Sequence, residues 1–176
     1  MYITFIIGAN KSGKSTLADK LVAESKHKAI KMSFRTPLDD IFYSIGMKEP
    51  SRKQYQAAAD MIRRHSPDFF CQSLSDRIKK TIELTRIENF FIDDLRYMDD
   101  FFLPIMHSVN FNDVKTFIIF ADYRSPDYDN SGNHSSDKLA RMAAENFDLK
   151  HGDVLTQDQI VQLISDDFEK LNDGEK

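Results

Sequence analysis

The sequence has few of the features that stabilise secreted proteins or carry a chain across a membrane. Among its 176 residues there is one cysteine, Cys71, and no tryptophan. A single cysteine excludes an intrachain disulfide, and we expect Cys71 to be a buried apolar residue in a reducing compartment. No apolar run approaches the ~20 residues of a transmembrane helix. We therefore expect a soluble, cytoplasmic protein without membrane partners.

The sequence also lacks a net positive charge. The formal net charge is −4, with 24 lysines and arginines against 28 aspartates and glutamates. This balance excludes a global basic field that would bind a nucleic acid polymer. Any binding of phosphate must instead depend on a few local cations. The length suits a single domain with its own core, predicted over residues 1–176 with a frayed tail from about 172.

The clearest motif stands near the start of the chain. Residues 8–15 read Gly-Ala-Asn-Lys-Ser-Gly-Lys-Ser, the G-x-x-x-x-G-K-S pattern of a P-loop, directly after the apolar run 2–7. The glycines let backbone N–H groups surround a polyphosphate, Lys14 reaches its β- and γ-phosphates, and Ser15 offers a hydroxyl to Mg²⁺. The segment predicts a nucleoside triphosphate site formed by Gly8, Ala9, Asn10, Lys11, Ser12, Gly13, Lys14, Ser15 and Thr16.

Runs of strand length alternate with segments of helical spacing. The strand-like runs are 2–7, 29–34, 89–93 and 114–120, and Thr156 with Gln159 forms a capping box before the last helical segment. Pro37 and Gly46 mark the start and end of another helix. This alternation predicts an α/β fold, a parallel sheet covered on both faces, with ligands at the carboxyl ends of its strands.

An acidic pair ends the third of these runs. Asp93 and Asp94 follow four strand-like residues, and Arg96 comes two positions later. In a P-loop protein, a strand that ends in an acid usually supplies the carboxylate on the Mg²⁺ side. The alternative is that one of the two caps the following helix. The sequence does not choose between Asp93 and Asp94, and Arg96 is predicted to clamp a phosphate.

Further candidates are two arginines that end a helical stretch and two residues near a polar loop. Arg63 and Arg64 suit bidentate contact with a second phosphate, but they point about 100° apart on a helix, so only one is expected to face the site. Arg124 lies in the polar, turn-rich stretch 121–133. His134 stands at the start of the next helix, where a lone histidine is more often structural than catalytic.

In this order, the motifs resemble those of phage-type deoxynucleoside monophosphate kinases, within the P-loop nucleoside monophosphate kinase group. The resemblance covers residues 1 to about 155. It is carried by the P-loop and by the segments 33–38, 56–70, 94–100 and 134–137. Asp39 stands where the family usually has lysine, Ala59-Asp60 replaces Gly-Thr, and Phe70 replaces tryptophan.

The resemblance implies a three-layer fold with a central sheet of about five strands and a short lid over about 121–135. It implies Mg²⁺-dependent transfer of the γ-phosphoryl of ATP to a (deoxy)nucleoside monophosphate. Lys14, Arg96 and Arg124 would be catalytic, and Ser15 with Asp93 or Asp94 would hold the metal. The acceptor would contact Phe34, Arg35, Arg63 or Arg64, Asp94, Arg96 and His134.

Two other functions remain open on the sequence. One is a P-loop kinase for another small acceptor, resembling dephospho-coenzyme A or phosphomevalonate. The other is a nucleotide-dependent ATPase or switch without an acceptor. The sequence also leaves open the preferred base and sugar and whether the protein forms a homodimer. If the protein is viral, the expected compartment is the host cytoplasm.

Overall fold

A computed structural model describes residues 1–95, 115–121 and 135–173, with side chains described except at 135–138 and 167–173. Strands alternate with helices along the chain, as the sequence predicts. In the described part, no helix combines the length and apolarity needed to span a bilayer. The elements are β1 (Tyr2–Ile7), α1 (Lys14–Glu24), β2 (Ala29–Met32), α2 (Thr36–Ser44), α3 (Arg52–His65), α4 (Phe69–Thr85), β3 (Asn89–Ile92), β4 (Lys115–Phe120), α5 (Ser135–Asn146) and α6 (Gln157–Asp173).

The four strands form one parallel sheet in the order β2-β3-β1-β4. The resemblance implies about five strands, whereas the sequence shows four strand-like runs and the described residues form four strands. Beside β4, residues 152–155 make only an isolated antiparallel bridge, between Val154 and Ile119. Gly152, at φ +92°, turns the chain just before this bridge, and α6 begins just after it. Backbone hydrogen bonds from Gly152 N to Phe120 O and from Leu155 N to Ile118 O hold this segment against β4.

Helices cover both faces of the sheet, which confirms the layered α/β architecture. Along β1, Ile3, Phe5 and Ile7 join a core cluster with residues of α2 to α6, whereas Ile6 packs with Ala18 of α1. This alternation is expected for a strand buried on both sides. Cys71 of α4 is 1% exposed, as predicted.

The helix boundaries that the sequence marks are correct. Pro37 lies in the first turn of α2, and Gly46, at φ +78°, follows its end. The hydrogen bond from Met47 N to Phe42 O, at 2.8 Å, completes this termination. Thr156 and Gln159 exchange capping hydrogen bonds at the start of α6. These boundaries place the start of α2 at the carboxyl end of β2, beside the P-loop.

Candidate functional site

The loop between β1 and α1 has the backbone shape that a phosphate cradle needs. Gly13, at φ 84°, precedes α1 and has no side chain that could cap its first turn. A Cβ at Gly8 would overlap the carbonyl oxygen of Ala121 and the Oγ of Ser12. The first N–H groups of α1 therefore face no competing side-chain cap, the arrangement that favours an anion at a helix N-terminus.

The side chains of this loop also fit a polyphosphate. Lys14 Nζ donates to the carbonyl oxygens of Gly8 and Ala9 at 2.7 and 2.6 Å, which holds the ammonium group against the loop. Ser12 is 1% exposed, and its Oγ has no hydrogen-bond partner in the described part of the chain. Ser15 and Thr16 are exposed in the first turn of α1. Cationic, hydroxyl and N–H groups thus gather at one point.

A cavity of about 380 Å³ extends from the P-loop between α2, α3 and α4. Among the described residues, its charged lining contains four cations and one carboxylate: Lys14, Arg35, Arg52, Arg63 and Asp94. Apolar walls come from Phe34, Leu38, Ala59 and Phe70, and polar groups from Asn10, Tyr55 and Gln56. An excess of guanidinium groups over carboxylates makes this cavity suited to an anionic group such as a phosphate.

Of the two adjacent arginines of α3, the structure brings only Arg63 into the cavity. The side chain of Arg63 is 20% exposed, its Cζ lies 5.3 Å from the centroid of the Phe70 ring, and its Nη1 lies 3.6 Å from Asp60 Oδ1. Arg64 is exposed and does not line the cavity. The phase of α3 therefore separates the two candidates that the sequence left equivalent.

Asp94 holds the segment that joins β2 to α2. Its carboxylate accepts hydrogen bonds from Ser33 Oγ at 2.5 Å, Phe34 N at 2.9 Å and Arg35 N at 3.1 Å. Arg77 Nη1 adds a bond to Ser33 O at 3.1 Å. These contacts fix the backbone of Phe34 and Arg35, two residues that line the cavity. Asp94 therefore stabilises the N-terminal end of α2.

The two carboxylates at the end of β3 have different surroundings. Asp93 is 8% exposed, whereas Asp94 lines the cavity together with Lys14. With Ser15, they offer the hard oxygen ligands that Mg²⁺ prefers. Within the described ranges, no group of three or more His, Cys, Asp or Glu residues could form a metal cage. The oxygens of Ser15, Asp93 and Asp94 fit a Mg²⁺ that is also bound by substrate phosphates.

Three predicted site residues, Arg96, Arg124 and His134, lie outside the described residues, as does most of the predicted lid over 121–135. Helix α5 begins at Ser135, where the sequence places a helix start. The P-loop residues, Phe34, Arg35, Arg63 and Asp94 are brought together at the carboxyl ends of β1, β2 and β3.

Sequence reasoning missed a cluster formed by Arg35, Asp39 and Tyr55. Tyr55 Oη donates to Asp39 Oδ1 at 2.6 Å, and Arg35 Nε donates to Asp39 Oδ2 at 3.3 Å. The hydrogen bond to Asp39, with burial, raises the pKa of Tyr55 above its ordinary value of 10.0.

Sequence reasoning also missed Arg52 as a residue that lines the cavity. A signal was present, because Arg52, Gln56, Ala59 and Arg63 recur at the spacing of one helix face.

Comparisons with known proteins add little to this site. No protein-family model matches the chain, and no curated protein matches it. Sixteen chains of solved structures match. One of them, from "Structure of the Pnkp1/Rnl/Hen1 RNA repair complex", aligns over 96% of this chain and 45% of its own length, with 13% identity and a TM-score of 0.42. This chain thus spans less than half of that one, and a likeness of this degree carries no argument about function.

Proposed function

We propose that this protein transfers the γ-phosphoryl group of ATP to a (deoxy)nucleoside monophosphate in a Mg²⁺-dependent reaction. The observation that carries the proposal is the cavity that joins Lys14 of the P-loop to Arg35, Arg52 and Arg63. A P-loop alone binds a donor triphosphate. A separate cationic cavity that opens onto the P-loop lysine supplies a place for a second, acceptor phosphate.

The chemistry requires positioning more than acid–base catalysis. The attacking oxygen belongs to a phosphate that is already ionised near neutral pH, so no strong general base is needed. Lys14 would neutralise charge on the transferred group, and Arg63 and Arg35 would orient the acceptor phosphate. Bound Mg²⁺, held by Ser15 with Asp93 or Asp94, would supply further charge neutralisation. The resemblance assigns Arg96, Arg124 and His134 to the same site.

The uncharged lining suits the rest of a nucleotide. Phe34, Leu38 and Phe70 form apolar walls against which a flat nucleobase packs, and the Gln56 amide can donate and accept hydrogen bonds. Phe34 is itself stacked on Phe5, with ring centroids 6.5 Å apart and planes at 15°. The wall is therefore anchored in the sheet. This lining favours an enzyme with an acceptor over an ATPase or switch without one.

The decisive test is a coupled assay of ADP release with ATP and Mg²⁺. The acceptor panel contains deoxynucleoside monophosphates, ribonucleoside monophosphates, dephospho-coenzyme A and a control without acceptor. Stimulation by one or more nucleoside monophosphates is the expected result. Stimulation by another acceptor alone would keep the mechanism and replace the substrate. ADP release that ignores every acceptor would overturn the proposal in favour of an ATPase or switch.

A substitution in the P-loop tests the donor site. Lys14→Ala should leave a folded protein whose phosphoryl transfer falls by orders of magnitude, because the ammonium group acts on the charge that develops in the transition state. Lys20→Ala is the matched control, since the Lys20 side chain is 66% exposed on the same helix. Near-normal turnover of Lys14→Ala would contradict the assignment of the P-loop.

A further inference from the structure

Arg35 is restrained on two sides at the edge of the cavity. On one side its Nε donates to Asp39 Oδ2 at 3.3 Å, one turn further along α2. On the other, its Cζ lies 5.2 Å from the centroid of the Tyr55 ring. Tyr55 Oη in turn donates to Asp39 Oδ1 at 2.6 Å. The three side chains therefore form a closed triangle between α2 and α3.

This triangle determines which edge of the guanidinium faces a ligand. Within the described residues, the hydrogen bond of the Arg35 guanidinium uses Nε, which leaves the edge between the two Nη atoms for an oxyanion. That edge presents two parallel N–H donors and can bind two oxygens of a phosphate. The Tyr55 ring is held in its turn by Phe42, at 4.9 Å between centroids with planes at 79°.

Without such restraint, Arg35 would be a flexible surface side chain. Its side chain is 55% exposed, and ordering a long exposed arginine upon binding costs rotamer freedom. The pairing with Asp39 and the contact with Tyr55 impose that order before the ligand arrives. Pre-ordering should favour binding of the acceptor and leave the binding of ATP at the P-loop unaffected.

We propose that Asp39 and Tyr55 are positioning residues that hold Arg35 in the orientation required by the acceptor phosphate. The inference rests on the proposed phosphoryl transfer to a monophosphate acceptor. It gives a role to Asp39, which departs from the lysine usual in the family that the sequence resembles. Neither residue needs to touch the substrate, because both act through the guanidinium of Arg35.

The test measures KM for the acceptor, KM for ATP and kcat in Asp39→Asn and Tyr55→Phe. Each variant has a matched control on α2, since Asp40 is exposed and Tyr43 is 80% exposed. In both variants the acceptor KM should rise on the order of tenfold, with the ATP KM within about twofold. Asp40→Asn and Tyr43→Phe should match the wild type. An unchanged acceptor KM in both variants would overturn the inference.

A double-mutant cycle separates positioning from a general structural role. In an Arg35→Ala background, Asp39→Asn and Tyr55→Phe should have no further effect on the acceptor KM, because the group that they position is absent. Equal effects with and without Arg35 would overturn the inference, because the two residues would then act through the fold or, for Tyr55, through direct contact with the acceptor. Thermal melting of each variant identifies any that fail to fold, and Tyr55→Phe, which loses one hydroxyl, is the milder change.

Failure of the proposed function is distinguishable from failure of this inference. If the wild type shows no acceptor-dependent ADP release, the function fails, and binding of inorganic phosphate by calorimetry then tests the triangle directly. Weaker phosphate binding in both variants would support the positioning role, provided that neither substitution weakens binding further in the Arg35→Ala background. Equal phosphate binding in the wild type and both variants would overturn it.

Discussion

Replacing the Asp94 carboxylate by an amide should destabilise the protein through a single loop. In the wild type, Oδ1 accepts from Phe34 N, and Oδ2 accepts from Ser33 Oγ and Arg35 N. In Asp94→Asn, whichever way the amide is turned, its NH₂ group meets a backbone N–H. At least one charge-assisted hydrogen bond is lost, and two donors face each other.

The magnitude follows from the number and type of bonds. A hydrogen bond to a charged group contributes roughly 1.5–3 kcal/mol, and Asp94 is only half-buried, so we expect a loss of about 2 kcal/mol. For a chain of this length, that corresponds to a fall in Tm of about 4–8 °C. Ser33→Ala removes one donor and leaves both backbone bonds in place. It should cost about 1 kcal/mol.

Urea titration followed by circular dichroism measures both free energies of unfolding, and Asp40→Asn is the control for removing a surface carboxylate. Hydrogen exchange at the amides of Phe34 and Arg35 locates the change. We expect faster exchange at these two amides in Asp94→Asn and little change elsewhere. The proposed role of Asp94 would be refuted if the free energy of unfolding of Asp94→Asn lay within about 0.5 kcal/mol of the wild type. It would also be refuted if Asp94→Asn were more stable than Ser33→Ala.

Three further substitutions test other parts of the structure. In kinetic assays, Arg63→Ala should raise the acceptor KM by at least about tenfold, whereas Arg64→Ala, at an exposed position, should change it far less. Equal effects would contradict the structure of α3, in which only Arg63 of the two faces the cavity. Gly8→Ala should weaken ATP binding, measured by calorimetry, because the new Cβ would overlap the backbone of Ala121. Gly46→Ala has open space around the new Cβ and should keep ATP binding. It should lose only about 1 kcal/mol of stability, because residue 46 has a positive φ. The raised pKa of Tyr55 stabilises the fold below pH 10.0, and this contribution disappears as the pH rises through the higher folded-state pKa. Stability measured from pH 9 to 11 should therefore fall more steeply in the wild type than in Tyr55→Phe, and parallel curves would contradict the shift.

Local signals in the sequence were sufficient for the elements and for the P-loop. The capping box at Thr156 and the Pro37 and Gly46 boundaries depend on interactions within a few residues, which a sequence displays directly. The apolar runs also located the four strands of the described sheet, whereas the resemblance implied about five. Residues 152–155 reach the edge of β4 and make one bridge to it.

The candidate site was predictable in composition but not in geometry. Whether Arg63 or Arg64 faces the cavity depends on how α3 packs, since one residue rotates a side chain by about 100°. The bond between Asp39 and Tyr55 joins two helices and has no local signature. Asp94 was expected to bind metal or substrate or to cap a helix after β3. The structure adds a role that has no local signature, because the Asp94 carboxylate holds a segment 60 residues earlier in the chain.

The position of β1 in the middle of the sheet has a consequence for how the protein is made. Tyr2 pairs with Asn89 on one side and with Lys115 on the other. As the chain leaves the ribosome, β1 emerges before the other strands of this sheet and stays unpaired until β3, from Asn89, and β4, from Lys115, have been made. Such long-range pairing slows folding and leaves an unpaired hydrophobic strand exposed during translation. We expect folding during synthesis to depend on chaperones and on the rate of translation more than refolding of the finished protein depends on chaperones.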